Sequence, residues 1–125
     1  MSNILIIEDD EQVRSMLRIL LGLAGYEVED APDGKEGLRL FQQKPFDLII
    51  TDILMPGKDG METIIEMRRE FPDVKIIAIS GGGRIIPDYY LDSAKLFGAM
   101  RTLAKPFEQK ELLEMVRELL QESKT

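Results

Sequence analysis

Three short segments, residues 4–7, 48–50 and 74–79, are almost wholly apolar and rich in isoleucine. Uninterrupted apolar runs of that length mark strands buried on both faces of a parallel sheet, where neither face is left to polar residues. Between them the period changes. Val13, Met16, Leu17, Leu20 and Ala24 fall at helical spacing, and Gly25 stands where a helix stop is expected, so the pattern predicts a helix over 11–24. Residues 26–31 read as a second strand. Residues 34–43 read as a second helix, with Leu38 and Phe41 inward and Lys44-Pro45 as its stop. Met61, Ile64 and Ile65 begin a third helix after Gly60, closed by Phe71-Pro72-Asp73.

The remaining chain predicts a fourth helix over 88–97, a fifth strand over 100–104 and a last helix over 108–121, with Leu112, Leu113, Val116, Leu119 and Leu120 on one face. In chain order these become β1, α1, β2, α2, β3, α3, β4, α4, β5 and α5. Strict alternation of strand and helix predicts an α/β fold, a doubly wound three-layer sandwich with right-handed crossovers. Ligands of such sheets bind beyond the carboxyl ends of the strands, at the topological switch point. No linker, repeat or low-complexity tract interrupts the pattern.

At 125 residues, with 44% apolar and 31% charged positions, the chain reads as a single globular domain, residues 1–125. Lys and Arg total 16 against 23 Asp and Glu, a formal charge of −7, so direct nucleic-acid binding is not expected. The absence of Cys and His removes thiol nucleophiles, disulfides, imidazole bases and the usual zinc ligands. Any metal must be hard and bound through oxygen. Apolar runs such as 4–7 fall far short of the roughly 20 residues that span a bilayer, and the start of the chain has no signal-peptide pattern; a cytoplasmic location without membrane contact is the expectation.

The predicted strand ends carry the polar chemistry. β1 runs into Glu8-Asp9-Asp10-Glu11. Acids in a first turn favour the helix dipole, and Asp9 with Gln12 three residues on resembles a capping box. β3 ends at Thr51-Asp52. A carboxylate there, beside the acids of β1, suffers desolvation and like-charge repulsion and calls for a cation between them. Magnesium suits that gap, because it takes one or two carboxylates, keeps several waters and binds phosphate oxygens. Lys105 at the end of β5 offers an ammonium for a carboxylate or a phosphate, or is a surface lysine at a turn. Ser80-Gly81-Gly82-Gly83 after β4 offers a hydroxyl and close backbone approach to an anion, or a flexible loop. A nucleotide P-loop motif is missing.

Acid, acid, hydroxyl and lysine at the ends of strands one, three, four and five form a far more specific set than any one of them. With Glu8-Asp9 and Arg14 beyond, Asp52, Met55-Pro56, Asp59-Gly60, Ser80, Gly98-Ala99 and Lys105-Pro106-Phe107, the chain resembles the receiver domain of two-component response regulators over essentially its whole length. The resemblance implies a flavodoxin-like five-stranded parallel sheet in the order 2-1-3-4-5. It further implies that Asp52 is phosphorylated from a phosphohistidine on a sensor histidine kinase or histidine phosphotransfer protein. Mg²⁺ would be held by Glu8, Asp9, Asp52 and the backbone carbonyl of Leu54, with Asp10 at the helix start. Lys105 and Ser80 would contact the phosphoryl oxygens.

Ser80 would draw the β4–α4 loop toward the phosphoryl group and alter the α4-β5-α5 face, read by a downstream protein or by a second copy in a homodimer. The family's aromatic residue three positions before the lysine is Thr102 here. Tyr89 and Tyr90 fall in the same region. Leu54 and Gly82 offer no side chain to orient a hydrolytic water, which favours a phosphoryl group that is not rapidly lost. The chain is expected to act alone, as a phospho-acceptor rather than an enzyme with turnover. Two other readings stay open: a magnesium-dependent phosphohydrolase of the haloacid dehalogenase kind, which wants a second Asp where Leu54 stands, and an interaction module independent of phosphorylation.

Overall fold

Five parallel strands lie side by side in the order β2-β1-β3-β4-β5. The structure is a computed structural model, and it describes residues 2–53, 60–80, 101–105 and 107–122. The elements are β1 Asn3–Ile7, α1 Glu11–Leu23, β2 Glu27–Ala31, α2 Gly34–Gln43, β3 Leu48–Asp52, α3 Gly60–Glu70, β4 Lys75–Ser80, β5 Arg101–Ala104 and α5 Gln109–Glu122. The expected α4, the residues after β3 from Leu54 to Asp59, the glycines 81–83, both tyrosines 89 and 90, Gly98-Ala99 and Pro106 lie outside the described residues.

Alternation along the strands sorts the core into two faces. Leu5, Ile7, Ile49, Ile76 and Ala78 turn to the side of α2 and α3, where they meet Phe41, Ile64 and Met67. Ile4, Ile6, Leu48, Ile50, Ile77 and Ile79 turn to the opposite side and meet Leu17, Leu21, Leu112 and Val116 from α1 and α5. Both faces of the inner strands are therefore covered, which is why their sequences show no polar alternation. Each such side chain removed from water contributes about 2 kcal/mol. β2 takes the edge and is mostly half-buried, in keeping with its Glu-Val-Glu-Asp-Ala sequence.

Local chemistry sets the helix starts. The capping reading of Asp9 is corrected: Asp10 is the N-cap of α1, its Oδ1 accepting the amides of Gln12 at 2.9 Å and Val13 at 3.2 Å. One residue decides this, because the chain needs Glu8 and Asp9 to leave the strand before the first helical turn can form. Asp33 caps α2 in the same way, accepting the Glu36 amide at 2.8 Å. At the other end of α1 the chain reverses at Gly25, whose φ of +100° lies in the left-handed region that favours glycine.

Candidate functional site

Parallel register brings the carboxyl ends of the strands together. Ile7 pairs with Thr51, so the residues that follow, Glu8 and Asp52, emerge from neighbouring strands. Asp52 itself still pairs with Ile79 of β4, and Ser80 pairs with Ala104 of β5, which places Lys105 one step beyond. The sheet order 2-1-3-4-5 reverses direction between β1 and β3, and the acids stand at that switch point.

Glu8, Asp9 and Asp52 each contribute a carboxylate oxygen to a group lying within 4.8 Å of one another. Glu8 and Asp52 are buried, at 2% and 6% exposure, whereas Asp9 is exposed. Lys105 answers the charge of the buried pair. Its ammonium donates to Glu8 Oε1 at 2.7 Å and to Asp52 Oδ2 at 3.1 Å. The other Glu8 oxygen accepts the Asp10 amide at 3.1 Å. Burial pushes the Glu8 carboxyl up to about 7, against the opposing pull of the Lys105 and Asp10 hydrogen bonds, and the Asp52 charge adds to the rise. Burial works in the other direction on Lys105, but Glu8 and Asp52 together outweigh it and raise its ammonium above the ordinary range.

This donor set fits a hard divalent cation. All three groups are carboxylates, two are held in place by buried strand ends, and the third faces solvent, where a cation would retain water. Two of the expected site features fall partly or wholly outside what is described: Leu54 and its carbonyl, and the hydroxyl of Ser80, whose backbone ends β4. Thr102, in the place of the family's aromatic residue, is half-buried and pairs with Ala78.

Two residues around the site had no role assigned from the sequence. Arg14 and Asp30 are paired at 3.0 Å beside the Glu8-Asp9 turn. The signal for Asp30 was available in the predicted order, since an acid near the end of β2 must lie next to the end of β1.

A family model for the response regulator receiver domain matches residues 4–117. Among curated relatives, the response regulator receiver protein CpdR of Brucella abortus (strain 2308) is 32% identical over 120 residues, 96% of this chain and 98% of that protein. The probable transcriptional regulator ycf27 of Cyanophora paradoxa is 35% identical over 117 residues, 94% of this chain but 47% of that protein. The chain thus spans about half the length of relatives of the second kind. Among solved structures, the response regulator protein TrrA of Thermotoga maritima, in complex with Mg²⁺-BeF, superposes with a TM-score of 0.84 at 34% identity, over 95% of this chain and 99% of that one. The strand order, the acids at the switch point and these matches agree: this chain belongs to the response regulator receiver domain family.

Proposed function

We propose that the chain is a receiver for two-component signalling in which Asp52 accepts a phosphoryl group from a phosphohistidine on a sensor histidine kinase or histidine phosphotransfer protein. The observation that carries this reading is the ammonium of Lys105 lying between the buried carboxylates of Glu8 and Asp52, with Asp9 completing the acidic group. A phosphoryl group arriving at Asp52 gives that ammonium new oxygens to bind, so the pocket is charged for both states.

In the transfer, an oxygen of Asp52 forms the new P–O bond while the donor's P–N bond breaks and its electron pair returns to the imidazole. Alignment and charge neutralisation are most of what such a transfer needs. Glu8, Asp9, Asp52 and the Leu54 carbonyl would hold Mg²⁺, which supplies positive charge to the phosphoryl oxygens. Lys105 holds one of those oxygens from the β5 side, and the Ser80 hydroxyl takes another from the end of β4. A carboxylate nucleophile attacks without giving up a proton, so the transfer needs no general base.

Residues 1–125 act in this reading as one receiver unit in the cytoplasm. The chain is a phosphorylated signalling component that promotes its own modification rather than an enzyme turning over a substrate. Its output passes to a downstream protein, or to a second copy, through the α4-β5-α5 face, with no direct contact to nucleic acid or membrane. Among the described residues no helix is long and apolar enough to cross a membrane.

Incubation with Mg²⁺ and a small acyl phosphate, read by intact mass, tests the reading. The expected result is a gain of one phosphoryl group, abolished in Asp52→Asn and in chelator. Failure of the wild-type protein to gain mass at saturating donor and Mg²⁺ would point instead to an interaction module that works unmodified.

A further inference from the structure

The turn that carries Glu8 and Asp9 is anchored from outside the acidic group. The β1–β2 ladder ends at Ile7 and Ala31, and the Glu8 amide makes a last contact with the Ala31 carbonyl at 3.1 Å. The Glu8 carbonyl lies past that ladder. It accepts Nη1 of Arg14 at 2.8 Å, and Nε of the same guanidinium donates to Asp30 Oδ2 at 3.0 Å. One planar group thus ties the first turn of α1, the end of β2 and the peptide that joins Glu8 to Asp9. Because that peptide is planar, fixing its carbonyl fixes the plane in which the chain enters Asp9.

We infer that Arg14 is a positioning residue for the metal-binding acids: anchored by Asp30, it clamps the Glu8 carbonyl and so aims Glu8 and Asp9 at Asp52. The inference rests on the reading of Glu8, Asp9 and Asp52 as Mg²⁺ ligands. Arg14 donates to a backbone carbonyl and to Asp30, and among the described residues its guanidinium bonds none of the three carboxylates, so its action is geometric. A guanidinium presents its donors in a fixed fork, whereas a lysine has a single point of attachment and cannot hold both partners in the same way. Partners of this outer kind typically alter metal affinity by about 10-fold or more.

Calorimetric titration of the full chain with Mg²⁺ tests the clamp, with thermal unfolding in chelator run alongside to register folding. Arg14→Gln is expected to raise the Mg²⁺ dissociation constant about 10-fold, and Arg14→Lys to give a similar rise despite keeping the charge. Asp30→Ala leaves Arg14 in place but unanchored, and is expected to weaken Mg²⁺ at least about 3-fold; it keeps the test decisive if Arg14→Gln does not fold. Folded variants within two-fold of wild type would overturn the clamp, and so would full affinity in Arg14→Lys. Absence of Mg²⁺ binding by the wild-type chain would be a different failure, that of the metal reading itself.

Discussion

The ammonium of Lys105 stands 2.7 Å from the carboxylate of Glu8, 97 residues away in the chain, and both side chains are largely withdrawn from water. Folding assembles this pair, since β1 and β5 are separated in the sheet by β3 and β4. Removing one partner of such a pair leaves a buried charge without compensation, at a typical cost of about 3–5 kcal/mol. Glu8 can escape part of that cost by taking up a proton. Lys105→Met should therefore lose about 2–3 kcal/mol in chelator at pH 7.5, measured by urea unfolding, and Mg²⁺ should recover part of the loss. An unchanged midpoint would mean that the pair contributes nothing to the folded state.

The same carboxylate predicts a pH dependence. Burial raises Glu8 from 4.5 to about 7, so between those values the folded chain holds a proton that the unfolded chain has released. Stability from this group is fully present below about pH 4.5 and is lost as the pH rises through 7. The change attributable to Glu8 is at most about 3 kcal/mol. Urea midpoints in chelator should fall between pH 5.5 and 8 in the wild-type protein, and Glu8→Gln should flatten that fall. With saturating Mg²⁺ the fall should shrink or reverse, because a metal ligand must be deprotonated.

How far the sequence disclosed this arrangement depends on the kind of signal. Strands 4–7 and 48–50 were legible because burial on both faces leaves an uninterrupted apolar run, and β3 ends at Thr51-Asp52 as read, the backbone of Asp52 still pairing with Ile79. At β4 the apolar run began one residue early. Val74 is buried, but its amide bonds back to the Phe71 carbonyl at 3.1 Å in a turn, so the ladder starts at Lys75. Glu8, Asp9, Asp52 and Lys105 could be read from their places at strand ends. The place of Asp30 beside the end of β1 followed from the strand order, but its bond to Arg14 did not, because hydropathy carries no information about which acid a half-buried arginine will find.

Close packing of α2 against β1 gives a prediction of opposite sign at two glycines. A Cβ built on Gly37 would clash with Ile7 Cδ1 and lie 2.7 Å from Cγ1, and Ile7 is fully buried. Overpacking of that kind costs about 1–3 kcal/mol and outweighs the helix-propensity gain of alanine. Gly22 lies in α1 with nothing within 4 Å of its notional Cβ. Gly37→Ala should therefore destabilise by about 1–2 kcal/mol, whereas Gly22→Ala should stabilise by about 0.5 kcal/mol, both by chemical denaturation. Pairing Gly37→Ala with Ile7→Val, which removes the nearer atom, should return part of the loss.

Asp9 and Asp10 are adjacent acids with different work, and one pair of substitutions separates them. Asp10 Oδ1 accepts the amides of Gln12 and Val13 at the start of α1, whereas Asp9 offers its carboxylate to the acidic group. Losing an N-cap costs about 1 kcal/mol. Losing a carboxylate from a crowded acidic group instead relieves repulsion while removing a donor to the metal. Asp10→Ala should thus lower the unfolding free energy in chelator by about 1 kcal/mol and leave Mg²⁺ affinity within a few-fold of wild type. Asp9→Asn should leave stability in chelator equal or slightly higher, and weaken Mg²⁺ at least about 10-fold, since it replaces an anionic ligand with a neutral one. The opposite assignment, with Asp9→Asn unfolding the helix start and Asp10→Ala abolishing metal binding, would place the cap and the ligand one residue away from where the backbone puts them.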